Sequence, residues 1–160
     1  MRTMHISKED ACRVIKKMRP IPALVYETML RYGLRISDVI DWRVSDLQKG
    51  RWTLHEKKTG KSRRIACTGS FRQQLLRYAS SDYVFPGRGE AGHITRQAVW
   101  HSFRSAACRV GLCGCYAPHS LRKAHAVDYY NHHGLSATQR HLNHDSAATT
   151  LIYAIEDFKP

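Results

Sequence analysis

An α+β fold dominated by helices is predicted from three features of the sequence. Apolar residues recur at helical spacing along most of the chain, the stretch around residues 51–67 switches to a two-residue alternation, and glycine or proline stands at most changes of pattern. The 160 residues suit one domain, with no internal repeat or low-complexity tract to divide them. Ser7 followed by Asp10 resembles a capping box, and Ala11, Val14, Ile15 and Met18 share one face until Pro20 ends this first helix. A second helix opens at Pro22, carries Leu24, Val25, Met29 and Leu30, and stops at Gly33, which tolerates a left-handed cap. A short helix is expected over residues 37–42. From Arg51, Trp52-Thr53-Leu54-His55-Glu56 alternates, Lys57 to Lys61 turns, and Arg63 to Cys67 resumes the alternation, which predicts a β-hairpin. Ser70 is expected to cap a helix bearing Phe71, Leu75 and Leu76, and Tyr83-Val84-Phe85 to form a short buried strand, giving a sheet of two or three strands. Thr95 opens a helix that Gly111 ends, Pro118 opens another that Gly134 ends, and shorter helices begin at Ser136 and near Asp145.

Charge bounds the partner class. The chain carries 26 Lys plus Arg against 13 Asp plus Glu, a net charge of +13, with ten His besides. Such an excess on a small domain fits a polyanion, because neutralising phosphates releases condensed counterions. No apolar run approaches the roughly 20 residues of a membrane span, and residues 1–10 show no apolar stretch of signal-peptide length. A cytoplasmic location with a nucleic-acid partner and no membrane partner is expected. The five Cys residues form no regular framework and are read as free thiols; Cys108, Cys113 and Cys115 lack the paired spacing of a zinc site, so no metal is expected.

Four segments carry groups suited to a phosphodiester. Arg35 stands in Tyr32-Gly33-Leu34-Arg35-Ile36-Ser37-Asp38. Lys58 follows 23 residues later in the hairpin turn, ahead of Thr59-Gly60. Pro118-His119-Ser120-Leu121-Arg122 supplies a His-x-x-Arg pair, and Leu142-Asn143-His144 is followed nine residues on by Tyr153 in Thr150-Leu151-Ile152-Tyr153. Lys57 and Lys61 compete with Lys58 for the hairpin role, and Tyr129 and Tyr130 with Tyr153. In order, spacing and local structure the set closely resembles the catalytic domain of the tyrosine recombinases, the phage integrase family, over about 150 residues. Two local departures stand out: Asn143 replaces the glycine common before the His, and Lys123-Ala124 the usual polar pair after Arg122.

The resemblance implies a recombinase catalytic-domain fold and a site-specific recombinase that cleaves and rejoins DNA through a 3′-phosphotyrosyl bond. The catalytic set would be Arg35, Lys58, His119, Arg122, His144 and Tyr153. Guanidinium groups are permanently charged and fork-shaped, so Arg35 and Arg122 would grip the non-bridging oxygens. Tyr153 would attack, His119 would accept its proton, Lys58 would protonate the departing 5′ oxygen, and His144 would donate a hydrogen bond. No cofactor is implied. The partner would be double-stranded DNA at a recombination site, bound by a monomer that joins a homo-tetramer on synapsis. Only 34 residues precede Arg35, so residues 1–160 are expected to be one catalytic domain without the family's core-binding domain. Two other readings are a type IB topoisomerase and a DNA-binding regulator that keeps the fold without cleavage. Arg43, Arg63, Arg64, Arg96, Arg104, Lys123 and Arg140 are expected to steer DNA, Thr95, Arg96 and Gln97 to reach base edges, and the remaining His residues, among them His141, to face solvent or phosphate.

Overall fold

The computed structural model of the chain describes residue 4 and residues 6–112 and 114–143. The expected helix near Asp145, together with His144 and Tyr153, lies outside the described residues. Seven helices and a hairpin follow in the order α1 (Lys8–Ile15), α2 (Pro20–Tyr32), α3 (Ile36–Val39), α4 (Val44–Lys49), β1 (Arg51–His55), β2 (Ser62–Ala66), α5 (Gly69–Tyr78), α6 (Arg96–Arg109) and α7 (Pro118–His141) among the described residues.

Local chemistry explains most boundaries. The Ser7 hydroxyl accepts the Asp10 amide and caps α1, and the Thr95 hydroxyl accepts the Ala98 amide and caps α6. Helix α2 begins at Pro20, two residues earlier than predicted, and ends on Gly33 at φ 63°. Helix α1 is shorter than expected, ending at Ile15 well before Pro20. At Gly134 (φ 75°, ψ 178°) α7 breaks, as the glycine predicts, and a second helical segment continues to His141. Helix α4 has no counterpart in the sequence reading, and α5 starts behind Thr68 with no side-chain cap, rather than at Ser70.

Strands β1 and β2 pair antiparallel with Trp52 opposite Ile65 and His55 opposite Ser62. Among the described residues the sheet has two strands. The third strand expected at residues 83–85 is replaced by an isolated bridge between Tyr83 and Arg43. Its neighbour is the chain just before α4, whose Val44 amide donates to the Asp82 carbonyl while the Val84 amide donates to Trp42. Because that chain turns at once into helix, pairing stops after one register step.

Trp42 joins the hairpin to the helices. Its ring meets Trp52 edge-on at 4.8 Å and lies 5.6 Å from Tyr32 and 6.3 Å from Phe85. On the other side Tyr26 packs on Phe103 at 4.6 Å, binding α2 to α6, and α2 makes its broadest contact with α7. Leu24, Val25, Leu34, Leu75, Val99, Phe103 and Leu121 fill the core between these layers. No helix among the described residues is long and apolar enough to cross a membrane.

Candidate active site

Three chain reversals converge on one face. At the first, Gly33 in the left-handed region swings the chain out of α2, Leu34 is buried as an anchor, and Arg35 stands in extended conformation as the N-cap of α3. At the second, the hairpin turn carries Lys57 and Lys58, closed by the Gly60 amide on the Glu56 carbonyl and by the Glu56 amide on that of Lys61. Asp38 Oδ1 accepts the Lys57 amide at 3.0 Å, so the residue three after Arg35 clips the hairpin to the first motif. The third is the start of α7, where Pro118 occupies the first helical turn and the Ser120 hydroxyl accepts the Ala117 amide and donates to the Met4 carbonyl. Three-residue spacing on a helix puts His119 and Arg122 on the same side.

A cavity of about 400 Å³ lies where these meet, lined by Arg35, Lys58, His119 and Arg122 together with Lys57, Arg96, Met29, Ile36, Ser37 and Pro118. Four of the six predicted catalytic residues therefore share one cavity. His144 and Tyr153 lie beyond the described residues. Lys57, a rival for the hairpin role, also lines the cavity, but its ammonium pairs with Asp41 at 3.2 Å. The third candidate, Lys61, donates instead to the Asn143 carbonyl at 3.0 Å, on the side of the turn facing the end of α7.

The two guanidinium groups are held differently. Arg122 is 2% exposed, and its Nη1 and Nη2 donate to the carbonyls of Gly33 at 2.7 Å and Leu142 at 3.0 Å. It ties the Arg35 turn to the end of α7. Arg35 is partly exposed and donates from Nη1 to Glu56 Oε2 at 2.5 Å. The His119 imidazole is held below its usual pKa, first by lost hydration at the cavity and then by the charges of Lys123, Arg122, Arg35 and Lys58. It is neutral at pH 7 and can accept a proton. Such an assembly, with fixed cations around an open cavity beside the N-terminus of α7, suits an anion that gains charge during reaction.

Several residues expected at the surface point inward. Arg63, foreseen as a DNA contact, is half-buried: its Nη2 donates to the Tyr32 carbonyl at 2.5 Å and lies 2.9 Å from His141 Nε2. Lys123 is 6% exposed. His141, foreseen at solvent, is only partly exposed: it stacks on Tyr129 with centroids 4.0 Å apart, and its Nε2 lies 2.9 Å from Nε2 of the buried His125. The amphipathic pattern around these residues is too mixed to reveal a polar cluster packed under the Gly33 turn. Glu56 is likewise absent from the motifs, although it is the lone acid between Thr53 and Thr68, a detectable oddity.

The histidine pair makes stability sensitive to acid. His125 Nδ1 donates to the Leu30 carbonyl at 2.6 Å. Burial first, with Arg63 adding to it against the Leu30 carbonyl, pushes His125 down to about 4. Burial and then Arg63 and His125 push His141 down to about 3. An unfolded histidine titrates near 6.5, so between there and the folded values the unfolded chain binds more protons. The stabilisation is complete above about pH 6.5 and is lost as pH falls toward 4 and 3. Allowing for screening at the partly exposed His141, the pair costs on the order of 3 kcal/mol between pH 7 and 5. Urea melts across that interval are expected to show this loss, and a smaller one in His141→Gln; equal slopes in both proteins would remove His141 from the effect.

The model of the phage integrase family matches residues 4–159. Among curated proteins, tyrosine recombinase XerD of Rhizobium meliloti is 30% identical over 158 residues, covering 92% of this chain and 50% of the relative. Tyrosine recombinase XerC of Xanthomonas campestris pv. campestris is 34% identical over 169 residues, covering 96% and 52%. The chain thus spans about half the length of these relatives. Among solved structures, a lambda integrase dimer bound to a COC′ core site superposes with a TM-score of 0.80 at 17% identity, over 100% of this chain and 50% of that one.

Proposed function

The chain belongs to the phage integrase family, and on that premise we propose that residues 1–160 are the catalytic domain of a site-specific DNA recombinase. The observation that carries this reading is the convergence of Arg35, Lys58, His119 and Arg122, from three distant segments, on one cavity. The scissile phosphate occupies that cavity. Arg35 and Arg122 neutralise its non-bridging oxygens as charge develops on them. The Tyr153 oxygen attacks phosphorus while its proton passes to His119, neutral at pH 7. The bond from phosphorus to the 5′ oxygen breaks, and Lys58 at the exposed hairpin tip supplies the proton that this oxygen takes up. His144 donates a hydrogen bond to the phosphate. The 3′-phosphotyrosyl bond keeps the energy of the broken ester, so a 5′ hydroxyl from a second duplex re-forms DNA without ATP, metal or other cofactor.

Double-stranded DNA at a recombination site is the substrate, in keeping with the net charge of +13. Exchange between two duplexes needs four cleavages, so four copies act together on the synapsed sites, while the protein free of DNA is a monomer. It works in the cytoplasm on nucleoid DNA.

A pool of nicked duplexes with randomised centres, from which the cleaved 5′ fragment diffuses away, tests the chemistry directly. The expected result is a protein–DNA adduct stable on a denaturing gel, whose DNA-bearing peptide contains Tyr153 and whose DNA shares a common sequence. Attachment at another residue would overturn the assignment of Tyr153, and retention of the DNA without any adduct would overturn the reading as a cleaving enzyme. Two copies of the recovered site on separate duplexes are expected to exchange partners; relaxation of supercoils without exchange would mark a topoisomerase instead.

A further inference from the structure

We propose that Glu56 is a positioning residue for this reaction, a single buried carboxylate that aligns Arg35, the hairpin and the chain segment entering His144; the inference rests on the catalytic reading above. Glu56 continues the inward face of β1 after Trp52 and Leu54, so the two-residue period carries it under the hairpin. Its side chain has no solvent exposure, whereas that of Arg35 keeps 23%. A buried carboxylate is tolerated only when donors surround it. Three do, each from a different segment. Oε2 accepts Arg35 Nη1 at 2.5 Å and the Thr59 hydroxyl at 2.8 Å, and Oε1 accepts Asn143 Nδ2 at 3.1 Å. Burial alone would raise its pKa, but hydrogen bonds from Thr59, Arg35 and Asn143 prevail and hold it below the ordinary carboxylate value.

Each contact has a geometric consequence. The bond to Arg35 fixes one edge of a guanidinium whose side chain lines the cavity with Lys58, His119 and Arg122. The bond to Thr59 closes the turn directly after Lys58. Asn143 is the residue immediately before His144 and stands at φ 54°, a left-handed conformation that asparagine adopts more readily than most residues. Glu56 holds its side-chain amide while Lys61 holds its carbonyl. One carboxylate therefore sets the relative placement of groups that are far apart in sequence, and it does so without touching the substrate.

Glu56→Gln keeps the shape but leaves one acceptor oxygen for three donors and brings an amide NH₂ against a donor. Asn143→Asp sets two carboxylates face to face. Combined, the substitutions keep the local charge and restore the hydrogen bond with donor and acceptor exchanged. Single-turnover adduct formation is expected to fall roughly ten- to hundredfold in each single variant, with DNA affinity within about twofold of wild type, and to recover to within about threefold in the double variant. Wild-type cleavage rates in Glu56→Gln, or a double variant no better than the product of the singles, would overturn the proposal. Guanidinium nitrogen resonances of Arg35 in the free protein give a second readout that needs no cleavage. They are expected to report hindered rotation in wild type and free rotation in Glu56→Gln; unchanged signals would overturn the positioning role. Absence of any wild-type adduct would instead overturn the recombinase reading, and the Arg35 resonances would then decide the role of Glu56 alone.

Discussion

Arg122→Ala is expected to lose both adduct formation and much of the stability of the domain. The side chain is almost wholly buried, and its two donors satisfy the Gly33 and Leu142 carbonyls. Truncation leaves two buried acceptors unpaired, at about 1–3 kcal/mol each, beside a cavity where a long side chain stood. A combined loss of about 4 kcal/mol lowers the melting temperature of a chain this size by roughly 10–15 °C. Cleavage is expected to fall by a factor on the order of 10³ or more, because half of the proposed clamp on the developing charge disappears. Arg122→Lys separates the two effects. It keeps a charge and one hydrogen bond but not the fork, so most of the stability returns while cleavage stays on the order of a hundredfold down. Thermal melts and single-turnover adduct formation on the same preparations check both parts, and an Arg122→Lys protein that cleaves at the wild-type rate would exclude the fork from the mechanism.

Gly33→Ala is the second large effect, and it arises from backbone and packing together. At φ 63° an L-residue pays about 1 kcal/mol for the left-handed conformation. An added Cβ would also lie 2.3 Å from His125 Cδ2 and 2.9 Å from Leu142 Cδ2. His125 has little room to withdraw, since its Nδ1 is bonded to the Leu30 carbonyl and its Nε2 abuts His141. About 3 kcal/mol of destabilisation is expected, near 10 °C in melting temperature. The same turn carries Arg35 and offers its carbonyl to Arg122, so cleavage is expected to fall more than stability alone explains. Gly60→Ala is the control: Gly60 has φ 67° but nothing within 4 Å of an added Cβ, leaving only the backbone cost of about 1 kcal/mol. Equal melting temperatures for the two variants would show that His125 yields to the new methyl.

Capping and turn chemistry are local, which is why Ser7, Thr95, Pro118, Gly33 and Gly134 mark real boundaries in the structure. The hairpin is local too, and its alternation was readable residue by residue. Residues 83–85 misled because a short apolar run with flanking turn residues describes a buried strand and a buried loop equally well. Only the position of the chain before α4 decides between them. Arg63, Lys123 and His141 misled for a related reason: a charged or polar residue in a basic chain is read as exposed unless a partner far along the chain is visible.

The candidate site divides the same way. Residue type, order and spacing determined by themselves the family and the motifs around Arg35, Lys58, His119 and Arg122, because a phosphodiester demands cations and proton carriers whatever scaffold holds them. Tertiary structure alone decided that these four line one cavity, that Lys61 faces Asn143 rather than that cavity, and that Glu56 is a buried hub rather than a surface acid. The physical reason is sequence separation. Glu56 meets its ligands 21 and 87 positions away, and Arg122 meets its acceptors 89 and 20 positions away; contacts of that range leave no local signature, since folding alone brings the partners within hydrogen-bonding distance.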